Sequence, residues 1–253
     1  MAKVYVFVNQ KGGVGKTTSV INIGAYMAAA GKKVLLVDFD SQGNMSSGVG
    51  ISKEKPTIYE LMAGLSTYEK TVRRTEVINL DAVAASIDLS GAAIELVDQS
   101  DREFYLKKAL ENLKNEYDYI LIDCPPSLGI LTLNGLAAAD AVLVPMQCEY
   151  FALEGISKLL NTIKIIKSKL NPKLEIEGFL LTMYDSRLRL ARQIYDEVKR
   201  HFQELVFKTV IQRNVKLSES PSHGLPVILY DADSTGAKNH LALAKEIIEK
   251  NKK

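Results

Sequence analysis

The chain has 253 residues, with 32 lysines and arginines against 30 aspartates and glutamates, 3 histidines and 2 cysteines. With 47% hydrophobic and 25% charged residues, its composition is that of an ordinary globular protein, which excludes wholesale disorder. Two cysteines are too few for a disulfide framework, so we expect a reducing, cytoplasmic environment. No run reaches the about 18 uncharged apolar residues that a membrane-spanning helix needs, and the first apolar run is too short for a secretory signal.

The net charge of +2 conceals an uneven distribution of charge along the chain. Residues 1–150 carry 14 basic and 18 acidic side chains, whereas residues 151–253 carry 18 basic and 12 acidic ones. Within residues 187–216, eight basic side chains stand against three acidic ones. A local excess of this size makes the segment a candidate surface for a polyanion.

Short apolar runs alternate with segments of helical periodicity along the chain. In chain order, we predict a strand at residues 3–9, a helix at 17–30, a strand at 34–39, a helix at 101–114, a strand at 119–122, a helix at 128–138, a strand at 141–145, a helix at 154–169, a strand at 176–183, and helices at 188–202 and 235–250. Residues 43–100 are interpreted as excursions on the same domain. Continuous apolar strands separated by helices predict an α/β fold, a doubly wound, mostly parallel sheet with helices on both faces. No linker or repeat divides the sequence, so we predict one domain, 1–253.

A glycine-rich turn follows the first predicted strand and leads into the first predicted helix. It reads Gln10-Lys11-Gly12-Gly13-Val14-Gly15-Lys16-Thr17-Thr18. Glycines let successive backbone N–H groups approach a phosphate, and the N-terminus of the following helix adds positive potential. Lys16 supplies a mobile charge for the β- and γ-phosphates, and the Thr17 hydroxyl is placed to bind Mg²⁺. The turn departs from the standard P-loop at Gln10, where glycine is usual, and it carries a second lysine, Lys11.

Three carboxylates follow predicted strands. Asp38 and Asp40 end the second strand, and Asp123 ends the third. The carboxyl ends of parallel strands border the crevice where ligands bind, so Asp123 is a candidate Mg²⁺ holder, acting through a water molecule. Side chains two residues apart share a face of a strand, so we expect both Asp38 and Asp40 to face the crevice. A helix cap for Asp123 and a solvated turn for Asp38 remain as alternatives.

Several motifs together resemble those of the ParA/MinD group of P-loop ATPases. Residues 11–18 resemble its deviant Walker A motif, and residues 119–126 resemble its Walker B strand. Residues 34–44 resemble its second motif, with Ser41 where proline is usual. Residues 183–187 and 213–224 resemble the ParA/Soj partition branch. The resemblance extends from about residue 3 to about residue 245, nearly the whole chain.

The resemblance implies roles for individual residues. Asp40 would position the attacking water, and Asp38 would belong to the Mg²⁺ shell or act in switching. Lys11 would reach across a dimer interface to the partner's phosphates and so join Lys16 and Asp40 as a catalytic residue. An ordinary loop lysine is the alternative. The nucleotide would be held by residues 11–18 and, at the adenine, by Gln212 and Asn214. Gln212 replaces the usual proline, which leaves its backbone to make that contact.

The resemblance also implies a function in DNA partition. The protein would be an ATP hydrolase, slow on its own, that forms a homodimer in the ATP state and binds nonspecific double-stranded DNA. A ParB-like activator would stimulate hydrolysis and release the DNA, with the protein cytoplasmic and nucleoid-associated. The candidate DNA contacts are basic side chains of the C-terminal part: Arg189, Arg192, Lys199, Arg200, Arg213 and Lys216. A merely solvated basic face is the alternative.

Two other functions remain open from the sequence. The first is a MinD-like or cargo-positioning ATPase that acts on a membrane or protein surface. The C-terminal helix disfavours it, because this helix lacks Trp and Phe and keeps Glu246 and Glu249. The second is an inert nucleotide-binding scaffold, which Asp40 and Asp123 disfavour. We expect no separate operator-binding domain before the first strand, both cysteines buried as small apolar residues, and no metal site among the scattered histidines.

Overall fold

The protein, described here by a computed structural model over residues 1–149 and 152–251, contains one seven-stranded sheet within those ranges. The strands are Lys3–Phe7 (β1), Val34–Asp38 (β2), Val72–Arg74 (β3), Leu80–Val83 (β4), Tyr119–Asp123 (β5), Ala141–Gln147 (β6) and Glu175–Thr182 (β7). Their order is β3-β4-β2-β5-β1-β6-β7, and all neighbours run parallel except β3, which is antiparallel to β4. The predicted fold class is confirmed.

Helices connect these strands. They are Lys16–Ala29 (α1), Asn44–Gly48 (α2), Ile58–Met62 (α3), Tyr68–Thr71 (α4), Leu89–Glu95 (α5), Tyr105–Ala109 (α6), Ile130–Ala138 (α7), Ala152–Lys169 (α8), Arg189–Phe202 (α9), Lys216–Glu219 (α10), Val227–Tyr230 (α11) and Thr235–Lys250 (α12). Short 3₁₀ turns occupy Leu96–Asp98, Asn112–Asn115, Gln203–Leu205 and Ser220–His223.

The helix predicted at residues 101–114 is wrong. Asp101 has a φ of 54°, which a right-handed helix does not accommodate, and the segment divides into α6 and a 3₁₀ turn. The Leu106 N–H at the start of α6 donates instead to the Asn134 side chain of α7, at 3.1 Å. This contact between elements distant in sequence replaces the missing first helical turn.

The core has two halves, one on each face of the sheet. Along β1, Val4 and Val6 pack on one face with α3 and α5–α9, while Tyr5 and Phe7 pack on the other with α1, α2, α11 and α12. Cys124 is buried as predicted, but Cys148 is only half-buried, so the prediction for Cys148 is wrong.

The central position of β1 determines where the glycine-rich turn lies. β1 is flanked by β5 and β6, and Asp123 at the end of β5 is in register with both Phe7 of β1 and Asp38 of β2. The turn after β1 and the carboxylates that end β2 and β5 therefore share one edge of the sheet.

Candidate nucleotide-binding site

The glycine-rich turn is anchored by side chains from the ends of two strands. Gly13 and Gly15 have φ values of 71° and 81°, which side-chain-bearing residues rarely adopt. The Gln147 amide of β6 donates to the Gly13 carbonyl at 3.0 Å, and the Thr182 hydroxyl of β7 lies 2.8 Å from the Val14 carbonyl oxygen. Because these carbonyls are occupied, the turn is left to present N–H groups to an anion.

Lys16, the first residue of α1, is a buried cation. It is only 7% exposed, and its Nζ lies 3.5 Å from the Lys11 carbonyl oxygen. It forms no ion pair with a carboxylate anywhere in the described ranges. Burial lowers the pKa of this amine, while Asp123 and Asp40 act in the opposite direction. A buried ammonium without a counter-ion is unfavourable, and a phosphate would supply the missing negative charge.

Asp123 is a buried acidic side chain that also lacks an ion-pair partner within the described residues. The residue is 1% exposed, and neither carboxylate oxygen accepts a hydrogen bond from the described residues. Burial, assisted by the charge of Asp38, raises its pKa to about 8, while the neighbouring Thr17 and Lys16 oppose the shift. An orphaned buried carboxylate beside a hydroxyl is a donor set that fits Mg²⁺.

Asp38 is buried as well, but its oxygens are occupied. It accepts from the Ser46 N–H at 2.8 Å, the Ser46 hydroxyl at 2.6 Å and the Asp40 N–H at 3.3 Å. Burial raises its pKa to about 6, although the Ser46 hydrogen bonds act against the shift. The role of Asp38 in the Mg²⁺ shell or in switching stays a prediction: here Asp38 fixes the segment after β2 and has fewer free lone pairs for Mg²⁺ than Asp123.

Asp40 lies beyond the end of β2, so the two-residue period of a strand does not govern its direction. It is half-buried, and its Oδ1 accepts from the Gln42 N–H at 3.1 Å. Its Oδ2 accepts no hydrogen bond from the described part of the chain. Asp40 can thus accept a hydrogen bond from water while its first oxygen holds the turn.

No cage of acidic, histidine and cysteine side chains surrounds a metal position. Within residues 1–149 and 152–251, no three of these residues are grouped so that they could hold an ion. Magnesium commonly keeps several waters and uses one or two protein ligands together with phosphates, so one hydroxyl and one carboxylate are sufficient. Thr17 and Asp123 are therefore the candidate protein ligands of Mg²⁺.

Lys11 pairs with Glu149 of its own chain. The side chains are 55% and 52% exposed, so the pair is weak and easily exchanged for another anion. Lys11 is therefore on the surface, as a residue that reaches another subunit must be.

A cleft lies beside the glycine-rich turn and is the candidate site for the nucleoside. Residues from α1, β7, α10, α12 and the segment before α10 line it: Gly15, Thr18, Ser19, Thr182, Met183, Ile211, Gln212, Arg213, Asn214, Leu217, Ser218 and His240. The Gln212 backbone N–H donates to the Asn239 side chain at 3.0 Å, so of its backbone groups the carbonyl is left for a base. The cleft thus brings Gln212 and Asn214 next to Gly15 and Thr18, as predicted.

His240 was missed by sequence reasoning. It is fully buried, and its Nδ1 lies 2.9 Å from the Gly236 carbonyl oxygen. The sequence pattern that could have identified His240 is its place on the buried face of α12, three positions after Ala237 and four before Ala244.

Comparison with known proteins identifies the family. A family model described as "AAA domain" matches residues 2–176. The chain is 60% identical over 251 residues to the chromosome-partitioning ATPase Soj of Treponema pallidum, with 99% of both chains covered. It is 54% identical over 249 residues to the sporulation initiation inhibitor protein Soj of Bacillus subtilis, with 98% of both covered. The chain belongs to the Soj/ParA family of partitioning ATPases.

A solved structure agrees with this assignment. A Mycobacterium smegmatis protein, described as cobyrinic acid a,c-diamide synthase with bound ADP and magnesium, is 37% identical with a TM-score of 0.86. The match covers 100% of this chain and 96% of that one. This structure shares the present fold over the full length of the chain.

The basic residues of this Soj/ParA family member gather mainly on α9. Ala191, Ile194 and Val198 form its buried side. Its exposed side carries Arg189, Arg192, Lys199 and Arg200. Exposed Arg213 adjoins them, since its N–H donates to the carbonyl of Tyr184, just before α9, at 3.2 Å. Lys216 differs: it is half-buried, paired with Glu219 at 3.0 Å and 5.6 Å from the Tyr230 ring centre.

The membrane question has one structural answer. Among the described residues, no helix combines the length and the apolar character needed to cross a bilayer.

The burial of His240 predicts a pH dependence of stability. Burial lowers its pKa from 6.5 to about 4, so the unfolded state takes up a proton more readily between these values. Stability contributed by neutral His240 is therefore present above about pH 6.5 and is lost as the pH falls towards 4. Urea unfolding at pH 7.5 and pH 5 should show the wild type losing about 2 kcal/mol more than His240→Phe. Exposed His201→Asn is the control, and an equal loss in wild type and His240→Phe would contradict the prediction.

Proposed function

We propose that this protein is an ATP-driven DNA-partitioning switch. The observation that carries the proposal is a pair of buried titratable side chains at one sheet edge, Lys16 and Asp123, neither of which forms an ion pair within the described residues. ATP supplies an anion for Lys16 and Mg²⁺ a cation for Asp123, and these are its cofactors. We treat residues 1–253 as one ATPase domain, because the described helices pack on the two faces of a single sheet.

Hydrolysis follows from the positions of the side chains. When bound, ATP supplies the phosphoanhydride bond and Mg²⁺ neutralises negative charge that develops on the phosphates. Lys16 and the N–H groups of residues 12–18 bind the phosphates, while Thr17 and Asp123 hold the metal. Asp40 accepts a hydrogen bond from the attacking water and directs it. Phosphoryl transfer needs this positioning rather than covalent chemistry from the protein.

Dimerisation would complete the site. Lys11 is held by Glu149 on the surface, so a single subunit leaves its charge away from the phosphates. In an ATP-bound homodimer, Lys11 would leave Glu149 and bind the phosphates of the partner subunit, as a cation supplied in trans. Turnover is then slow in the isolated protein and rises when a ParB-like activator favours the completed site.

DNA binding would use the basic side of α9 with Arg213. Arginine and lysine contacts to phosphates give affinity without reading sequence, and this affinity falls steeply with salt. Arg192 and Arg200 lie on opposite halves of one exposed helix side, about 12 Å apart along its axis. The cellular place that follows from the proposal is the nucleoid in the cytoplasm.

Binding to random-sequence duplex DNA tests the proposal. Measured without nucleotide, with ADP and with ATP at two salt concentrations, binding should require ATP and weaken as salt rises. Arg189→Ala and Arg213→Ala should each weaken ATP-state binding and reduce the slope of log affinity against log salt by about 1. Lys107→Ala removes an exposed charge on α6, away from α9, and should change nothing. Nucleotide-independent binding, or equal effects of all three variants, would refute it.

One observation supports a second candidate, a switch that binds an anionic membrane surface. Leu188 and Leu190 flank Arg189 and are 57% and 46% exposed, a combination that lipid-binding surfaces use. Against it, the apolar residues Leu243 and Ile247 of α12 are buried in the core and unavailable as an anchor. Sedimentation with anionic vesicles plus ATP, compared with the DNA assay, decides between the two.

A further inference from the structure

A buried serine connects the turn that carries Asp40 to the segment after β4. Ser46 of α2 is fully buried, and its hydroxyl donates to Asp38 Oδ2 at 2.6 Å. The same hydroxyl oxygen accepts from the Ala85 N–H at 3.1 Å. Ser46 therefore uses both its hydrogen and a lone pair inside the core, where an unpaired polar group would be costly. The three groups hold one another in a single arrangement.

The Asp38 carboxylate transmits this arrangement to the backbone of Asp40. Its Oδ2 also accepts from the Ser46 N–H at 2.8 Å, while its Oδ1 accepts from the Asp40 N–H at 3.3 Å. A carboxylate is planar and rigid, so two hydrogen bonds that fix Oδ2 also fix the direction of Oδ1. The hydrogen bonds thus run without a gap from the segment after β4 through Ser46 and Asp38 to Asp40.

The turn after β2 packs closely against the same segment. A Cβ on Gly43 would lie 3.0 Å from the Ala85 carbonyl oxygen, so only a bare backbone fits there. The Gly43 N–H donates to the Asp40 carbonyl oxygen at 2.9 Å and closes the turn. Asp40 is therefore held at its N–H by Asp38 and at its carbonyl by Gly43. Of these two contacts, the first depends on Ser46.

We propose that Ser46 is a positioning residue for ATP hydrolysis, which acts through Asp38 on the direction of the Asp40 carboxylate. The inference rests on the proposed function, in which Asp40 directs the attacking water. Ser46 itself contacts neither ATP nor this water. Without its hydroxyl, Asp38 loses its shortest hydrogen bond, and the Asp40 carboxylate deviates from the line of attack. A misplaced positioning group lowers the rate of phosphoryl transfer and leaves binding of the phosphates largely unchanged.

Substitutions at Ser46 test this role without altering either carboxylate. Ser46→Ala should hydrolyse ATP about tenfold more slowly in a single turnover, with an affinity for a non-hydrolysable ATP analogue within about threefold of the wild type. Ser46→Thr keeps the hydroxyl and should hydrolyse ATP at close to the wild-type rate. Ser47→Ala is the matched control, because it removes an exposed hydroxyl that donates to the Gly43 carbonyl at 3.2 Å. Water can replace that hydrogen bond, so the rate should not change.

A double variant separates positioning from a general weakening of the fold. If Ser46 acts through Asp40, adding Ser46→Ala to Asp40→Ala should lower the remaining rate by less than about twofold. A general loss of stability or of ATP binding would instead lower the rate equally with and without the Asp40 side chain. Equal losses in the two backgrounds would therefore overturn the proposal.

Other outcomes would overturn it as well. A wild-type rate in Ser46→Ala would show that the hydroxyl has no part in hydrolysis. Loss of analogue binding in Ser46→Ala would make Ser46 a residue that maintains the fold only. A loss in Ser46→Thr as large as that in Ser46→Ala would assign the effect to packing rather than to the hydroxyl. Failure of the wild type to bind or hydrolyse ATP is a separate result, which refutes the proposed function itself.

Discussion

Lys16→Ala is expected to reduce the affinity for ATP with Mg²⁺ by at least about 100-fold. Among the described residues the buried Nζ hydrogen-bonds to the Lys11 carbonyl oxygen alone, at 3.5 Å, so its charge is available to the phosphates. Hydrogen bonds from a cation to phosphate in a partly desolvated site contribute about 1.5–3 kcal/mol each. Isothermal titration with a non-hydrolysable ATP analogue measures the loss.

Lys11→Ala is the matched control for this prediction. It removes a lysine from the same turn, but one that is exposed and paired with Glu149. Its single subunits should bind ATP as the wild type does, whereas ATP-dependent dimerisation should fail. Lys16→Ala should leave thermal stability without nucleotide unchanged or higher, since it removes a cation whose charge is disfavoured by burial. Binding of ATP by Lys16→Ala within about threefold of the wild type would contradict the assignment.

Asp40→Ala is expected to reduce ATP hydrolysis about 100-fold or more and to leave ATP binding and dimerisation intact. The free Oδ2 is the group that orients water, and positioning residues of this kind contribute about 10²–10⁴ in rate. Single-turnover hydrolysis with saturating ATP isolates this step from binding and release.

Asp40→Asn separates the chemical role from the structural one. Its side-chain oxygen can still accept from the Gln42 N–H and hold the turn, whereas its charge is gone. Hydrolysis should fall in both variants if Asp40 directs water. Ser41→Ala, in the same turn, should hydrolyse ATP normally. A wild-type rate in Asp40→Ala would show that another group positions the water.

Features that depend on residues close together in the chain could be predicted from the sequence. The glycine-rich turn, the central strands and α1 depend on local spacing and on burial of both sheet faces. Strand β3 was not predicted, because Val72–Arg74 is three residues long and only partly buried. It forms by antiparallel pairing with β4, a contact that no local pattern encodes.

The features of the site that the sequence did not predict also depend on contacts between residues that are distant in the chain. The pairing of Lys11 with Glu149 joins residues 138 positions apart, and the Asn239 contact to Gln212 spans 27 positions. The occupation of Asp38 by Ser46 depends on how α2 folds back over β2, which a strand period does not describe. Residue types identify which side chains can do chemistry, but tertiary contacts decide which of their atoms remain free.

The orphaned charges of Lys16 and Asp123 also bear on how this protein tolerates change. Burial disfavours the charged form of each side chain, so a neutral substitution removes that cost while disabling the enzyme. A library selected for heat resistance without nucleotide would therefore accumulate inactive sequences at these positions. Selection in the presence of ATP and Mg²⁺ would favour Lys16 and Asp123 instead. The bound ligands stabilise the folded protein through the same two side chains whose burial is unfavourable without ligand. The choice of ligand during selection thus sets the direction in which this chain evolves.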